Sequence, residues 1–405
     1  MSAFNTDHTY GSVTRVIHWG MALLVTAMIP LGLRANHLAH QIADGATDPA
    51  ILSQAQLLFS LHKTLGVGIF FLALIRIVWA LRSPKPKPLL RHKPAETFLA
   101  SMVHWLLYTS LLLVPLTGWI HHAATTGIAP IWWPFGQSLP FVPKDPSTAE
   151  TFATLHIILQ RLFAISILLH LAGALKHHFF DQGATLKRMW NGAPGQINAG
   201  HNASQYAPLA AFVASVIALG TGAALGLFDR NQTQTVALQP VSSEWTVTEG
   251  TLAISNTQLG AEVQGSFADW TSSISFDPDL TEGVMGEVTT VISIGSLTLG
   301  SVTAHAMGPD YFNVAAFPTA TYNGTLIRDE DGLRSEGMLR IKDTRVPVSF
   351  AFDLSFDGNR AKMTGMTTLN RFDFEMGSGI DENTLAAEVI LTMTLTATRA
   401  TDPHF

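Results

Sequence analysis

"LHIILQRLFAISILLHLAGALKHHFF", residues 155–180, is apolar over a length that can cross a bilayer, about 20 residues, yet it carries four histidines. His156 opens the run, His170 lies inside it, and His177 and His178 stand where it ends. A polar group at bilayer depth is costly unless something compensates it. His156 and His170 are separated by about 21 Å of helical rise. At about 100° per residue their azimuths differ by only about 40°, so both face one side. One helix therefore offers an imidazole to each leaflet.

Outward from this run, apolar segments at approximately 15–33, 57–81, 98–121 and 207–228 join 154–176 to make five expected spans. No polar, small-residue cleavage region follows the first, so it is read as retained. The loop 82–94 carries Arg82, Lys85, Lys87, Arg91 and Lys93, and 176–206 adds Lys176, Lys187 and Arg188. The other two loops are poor in basic residues, with one Arg in 34–56 and only Lys144 in 122–152. Basic loops stay in the cytoplasm. The N-terminus is thus expected inside, and five spans place everything after residue 228 outside, in the periplasm of a bacterial inner membrane.

The chain of 405 residues is 47% hydrophobic and 13% charged, against about 25% charged for soluble proteins. Its formal net charge of -6 gives no reason to expect a nucleic-acid partner. Cysteine is absent, which excludes disulfides, thiolate metal sites and covalently attached haem. Metal chemistry must then rest on histidine or carboxylate, and only His305 and His404 of the 16 histidines lie beyond residue 201.

Placed by depth, His62 and His156 fall at the outer level, and His18 and His170 at the inner one. Any one of these alone is more often a hydrogen-bonded interior residue. Four that pair at two matched depths fit two bis-imidazole sites, an arrangement suited to axial ligation of haem iron and to electron transfer. His104 shares the inner level and rivals His18. His121, His122, His177 and His178 sit at interfaces, where propionate or quinone contact and plain solvation are alternatives. Arg76 is open between snorkelling and pairing with a haem propionate. Lys63, beside His62, is open between an outer propionate and an anionic substrate. Arg161 is deeper in its span, where a buried partner is expected.

The stretches "VTRVIHWGMALL", "LHKTLGVGIFFLALIRIVWALR", "VHWLLYTSLLLVPLTGW" and the opening run resemble the four helices of bacterial cytochrome b561, in order, over about residues 9–190. The resemblance implies two haem b groups with His18, His62, His156 and His170 as axial ligands. It also implies exchange of electrons between quinone and a partner at the outer face. One activity known in the family is oxidation of superoxide with quinone as acceptor.

Beyond the fifth span and the polar linker 229–243, the periodicity changes to two. "ILTMTLTAT" (390–398) sets Leu391, Met393, Leu395 and Ala397 on one face and threonines on the other. Many short strands of this kind predict an antiparallel barrel or sandwich. "GSFADWTSSISFDPD", "HAMGPDYFNVAAFPTATYNG", "GMLRIKDTRVPVSFAFDLSF" and "TTLNRFDFEMG" resemble the YceI-like family, with Phe312, Phe317, Pro318, Asn370, Arg371 and Phe374 at matching places. This implies a periplasmic lipocalin-like barrel holding a polyisoprenoid such as a quinone, with Phe312, Phe317 and Phe374 as expected tunnel residues. The chain departs from the family where Asp-x-x-His-Ser is usual, having Gly250 and Thr251, and again near Gln258.

The expected organisation is a cytochrome b561-type transmembrane domain over 1–190, a linker with the fifth helix over 191–243, and an all-β barrel over 244–400. The leading functional reading is a di-haem electron-transfer protein fused to a lipid-binding barrel. The alternatives are a non-redox isoprenoid carrier anchored by its helices, and a His-based metal transporter.

Overall fold

The computed structural model describes residues 2–43, 48–86, 94–194, 205–229, 238, 239, 241 and 243–399. Lys87, Arg91 and Lys93 of the basic loop, and most of the linker 229–243, lie outside the described residues. The chain divides into two compact units, one of residues 1–34, 58–124 and 131–230, the other of 35–57, 125–130 and 231–405.

Among the described residues, five helices are long and apolar enough to cross a membrane. They are α1 (Ser12–Ala43), α2 (Pro49–Arg82), α3 (Pro94–Ala124), α4 (Pro146–Phe179) and α6 (Ala207–Ala224), with the short α5 (Thr185–Trp190) before the last. The first four are longer than their apolar runs, because hydropathy marks the lipid-facing part while capping decides where the helix begins. At the start of α4 the Asp145 carboxylate accepts from the Thr148 amide at 2.7 Å and Pro146 opens the first turn, a sound N-terminus for a helix.

The last span ends four residues early, at Ala224 rather than 228. Gly226 takes the left-handed conformation (φ +71°), its amide donates to Ala223 and that of Leu227 donates to Gly222. This paired closure stops a helix. Gly226 is therefore a terminator, whereas Gly222 is a close-packing position against Ile158 of α4.

The second unit is built on antiparallel strands: β1 (Trp245–Gln258), β2 (Ala261–Phe267), β3 (Trp270–Phe276), β4 (Gly283–Ser293), β5 (Leu297–Thr298), β6 (Thr319–Asp329), β7 (Gly332–Ile341), β8 (Thr344–Asp357), β9 (Arg360–Asn370) and β10 (Leu385–Arg399). Strands β3, β4, β6, β7, β8, β9 and β10 follow one another, and β1 pairs with both β3 and β10, closing an eight-stranded barrel. The remaining strands, β2 and β5, extend from the far half of β1. The β1–β2 connection uses Leu259 and Gly260, both at positive φ, as a two-residue hairpin requires. Closure removes the exposed edges of the ring. Alternation then sends one face of each strand inward. Met393, Leu395 and Ala397 of β10 line the interior, as the period-two reading expects.

The motif residues after β9 are structural. Asn370 accepts from the Phe372 amide, and Arg371, only 4% exposed, donates to the carbonyls of Met376, Gly377, Ile380, Leu385 and Ala386 at 2.5–3.2 Å. One guanidinium thus ties down the whole β9–β10 connection.

Candidate functional site

At the inner level α1, α3 and α4 bring three imidazoles together. The ring centroids of His18 and His170 are 6.3 Å apart, and those of His104 and His170 are 5.1 Å apart. A metal atom bonded at about 2 Å to one nitrogen of each of two opposed rings would put the centroids about 6 Å apart, and a bent arrangement would bring them nearer. The His18–His170 pair meets the spacing of opposed rings, and the His104–His170 pair is shorter. Arg76 of α2 reaches the same place. Its guanidinium nitrogens lie 3.4 Å from Nδ1 of His18, and the group is 5.6 Å from the Tyr108 ring centre. A cation thus stands at the inner histidines instead of pointing away to the interface.

At the outer level His62 of α2 and His156 of α4 are within electrostatic reach of one another. His156 donates from Nδ1 to the Val114 carbonyl at 2.8 Å. That bond fixes the tautomer and leaves the Nε2 lone pair available, the state a metal-ligating histidine needs. Nδ1 of His62 is buried with no hydrogen-bond partner among the described residues. Both rings lie against helix backbone. A Cβ on Gly32 would come within 3.1 Å of the His62 ring, and one on Gly118 within 3.0 Å of the His156 ring. Gly118 sits one turn beyond Val114, so its missing side chain is what opens that carbonyl to His156. The donor set at both levels, neutral imidazole in an apolar helix bundle, fits haem iron.

Between the levels lies an apolar layer. Met21, Ile69, Ala73 and Leu111 are buried there, with Leu24, Val25, Leu72, Leu112 and Phe163 packed against them. Phe163 is midway along α4 between His156 and His170.

The interface residues have these contacts. His121 donates to the Ala149 carbonyl at 2.7 Å, and its ring is tilted by 56° against that of His122 at 4.4 Å between centroids. His177 bonds Asp181 at 2.6 Å, and Lys176 bridges Asp181 and Glu96 at 3.2 and 2.8 Å. His177 thus belongs to an ion-pair cluster at the end of α4, with a lysine between the two carboxylates. His178 lies edge-on to Phe179. Lys63 follows His62 on α2, within electrostatic reach of His121 and His122. Arg161, for which a buried partner is expected, is instead exposed on α4. Five residues beyond His156, it is turned about 140° from the histidine face.

In the barrel, the strands enclose a cavity with about 840 Å³ of space, part of it open to solvent. Its walls include Trp245, Trp270, Phe276, Phe350, Phe352 and Met393, and no charged residue or histidine. The three phenylalanines expected to form a tunnel are not in these walls. Phe374 is 2% exposed in the barrel core, Phe312 packs edge-on against Phe267, and Phe317 is half-buried in the segment before β6. Phe312 packs against the core that holds Phe374, and the cavity walls are formed by other residues.

Residues 9–192 match the prokaryotic cytochrome b561 family. The chain is 31% identical over 190 residues to cytochrome b561 homolog 2 of Escherichia coli, covering 47% of this chain and 95% of that protein. The chain belongs to the prokaryotic cytochrome b561 family. It is also 30% identical over 130 residues to the "Probable superoxide oxidase CybB" of Yersinia pestis, covering 32% and 72% of the two chains. Residues 237–397 match the YceI-like domain. Among solved structures, BcnA of Burkholderia cenocepacia is 22% identical, covering 37% of this chain and 96% of its own with a TM-score of 0.34. A YceI protein of Campylobacter jejuni is 18% identical, covering 34% and 84% with a TM-score of 0.31. The chain is therefore a multi-pass cytochrome b561-family membrane protein carrying a YceI-like barrel.

Within the cytochrome b561 bundle, Gly32 and Gly118 escape a search for titratable groups. Their signal is a glycine in an apolar helix interior, where it costs about 1 kcal/mol against alanine and so asks for a close contact. In the YceI-like barrel, Gly250 stands where the family has a motif side chain. A Cβ there would lie 2.6 Å from the Trp270 ring. The indole fills that space, so no motif histidine could be held at this position.

Proposed function

We propose that this protein carries two haem b groups, the outer held by His62 and His156 and the inner by His18 and His170. It exchanges electrons between the quinone pool and a periplasmic donor or acceptor. The observation that carries the reading is the 6.3 Å spacing of the His18 and His170 rings, a separation suited to one metal between two imidazoles. When bound, haem supplies one-electron exchange at each level. Two imidazoles at each level would suit bound haem to electron transfer, so partners would exchange electrons there rather than bind at iron.

The chain's own residues support this chemistry. The Val114 carbonyl holds the Nδ1 proton of His156 and raises the basicity of Nε2. Arg76 supplies a cation at the inner level, suited to a propionate carboxylate, and Lys63 supplies one at the outer level. The apolar layer around Phe163 keeps water and ions from crossing between the levels. Loop charge supports a bacterial inner-membrane location with the N-terminus cytoplasmic and the barrel periplasmic.

The barrel's function in this proposal is to bind an isoprenoid lipid such as a quinone, and its apolar cavity supports that role. Fusion keeps barrel and cytochrome at a high mutual concentration. Superoxide, the substrate in the name of the Yersinia pestis relative, is the first periplasmic donor to assay.

Pyridine haemochrome analysis of the purified protein is expected to return two haems b per chain. His156→Ala should remove mainly the outer haem and His170→Ala the inner one. A colourless protein from haem-replete cells would overturn the reading. The cavity would then favour the second one, a non-redox isoprenoid carrier with a helical anchor.

A further inference from the structure

The cavity walls are mostly apolar, and of their polar side chains, which include Thr251 and Thr394, two pairs bond to each other. Ser272 and Thr290, cross-strand partners on β3 and β4, bond through their hydroxyls at 2.8 Å. Tyr322 of β6 and Ser335 of β7 bond at 2.7 Å, with Ser335 fully buried and Tyr322 9% exposed. All four line the cavity.

The second pair is built, and glycine builds it. Tyr322 pairs across the sheet with Leu339, so Ser335 is not its direct neighbour. The phenol reaches it by lying along the strands over Gly324, whose register partner is Gly337. A Cβ on Gly324 would stand 2.6 Å from the phenol oxygen. A glycine in the interior of a sheet sacrifices packing, and here Gly324 provides a bare floor for one aromatic ring.

Hydrogen counting then gives the pair a consequence. Each hydroxyl has one hydrogen to donate and two lone pairs. One hydrogen makes the Tyr322–Ser335 bond. The other makes no hydrogen bond among the described residues, and the pair lies in a mostly apolar wall, where a polar hydrogen gains from an acceptor. A ligand oxygen in the cavity would accept it. The walls hold no lysine, arginine or histidine to neutralise an anion, and an unpaired charge in such surroundings is far costlier than a neutral carbonyl.

We propose that the Tyr322–Ser335 pair is the head-group site of the barrel, and that it selects a neutral lipid head bearing a carbonyl oxygen, as in a quinone, over a phosphorylated one. This rests on the lipid-binding reading of the barrel and names the ligand class it takes.

The test uses the full chain in detergent micelles with decylubiquinone and decyl phosphate as probes of matched tail length. Hydrogen–deuterium exchange of peptides within residues 319–341 reads occupancy of the barrel separately from any site in the helices. Decylubiquinone is expected to protect these peptides and decyl phosphate to leave them unchanged at the same concentration. Tyr322→Phe and Ser335→Ala should each raise the half-saturating decylubiquinone concentration about three- to tenfold, the loss of one neutral hydrogen bond. Unchanged exchange of the unliganded variants will show that the barrel remains folded. Equal protection by decyl phosphate, or wild-type affinity in both variants, overturns the head-group assignment and leaves lipid binding standing. Protection by neither probe, with no lipid in extracts of the purified protein, overturns both.

Discussion

The ring of His156 lies directly against Gly118, so closely that a methyl group on that glycine would sit 3.0 Å from two ring atoms. The contact lets Nδ1 reach the Val114 carbonyl on the preceding turn of α3. Gly32 does the same steric service for His62. The outer pair is thus seated by two glycines, while Gly20, near the inner pair, faces open space within 4 Å.

Gly118→Ala and Gly32→Ala should therefore each displace an outer imidazole and reduce haem content toward one per chain, with the inner haem spectrum retained. Gly20→Ala should keep both. Pyridine haemochrome content and low-temperature absorption spectra of the three variants make the comparison.

His104 and His18 are neighbours of the same His170 ring but at different spacings, 5.1 and 6.3 Å. His104→Phe is expected to keep two haems, whereas His18→Ala should lose the inner one. Two haems in His18→Ala together with one in His104→Phe would exchange their roles.

Arg76 lies beside His18 and carries a positive charge into the inner level. A nearby cation disfavours the oxidised, more positive iron. Arg76→Gln should lower the midpoint potential of the inner haem by tens of millivolts and leave the outer one in place. Spectroelectrochemical titration measures both in one sample.

Arg371 satisfies five carbonyls in the β9–β10 connection. Its loss leaves several buried acceptors unpaired, each worth about 1–3 kcal/mol. Arg371→Met should destabilise the barrel by more than about 3 kcal/mol. Arg371→Lys should rescue little, because an ammonium has fewer donors and no planar fork. Limited proteolysis of the barrel, scored beside an unchanged haem spectrum, reads the effect.

His305, in a short helical turn before β6, has a buried Nδ1 without a hydrogen-bond partner among the described residues, and burial pushes its pKa below the ordinary 6.5, with Asp310 opposing. The unfolded barrel then takes up a proton that the folded barrel resists. This contribution is intact above about pH 6.5 and declines as pH falls toward the lower folded-state value. Barrel unfolding should shift to lower temperature between about pH 7.5 and about pH 5, and His305→Asn should flatten that dependence.

Much of this was legible without coordinates. The 14-residue interval on α4 put two imidazoles on one face, because helical periodicity is a local property of the chain. Hydropathy located five spans, and the change to period two after residue 244 announced the barrel. Helix ends were less legible, since a cap such as Asp145 or a left-handed residue such as Gly226 acts through one backbone conformation rather than a pattern. The place of Phe374 in the core was not legible for a related reason. A motif identifies a residue that matters, and a core residue and a wall residue carry the same apolar side chain.

By itself the sequence determined the architecture: which segments cross the membrane, which strands alternate, and which histidines share a depth. Tertiary structure alone decided which rings meet. The His18 ring stands 6.3 Å from that of His170 and the His104 ring 5.1 Å, Gly118 opens a carbonyl on another helix, and the bare Gly324 lets Tyr322 reach Ser335. Each is a contact between residues far apart in the chain. Periodicity fixes the face a residue occupies, and only packing fixes what it faces.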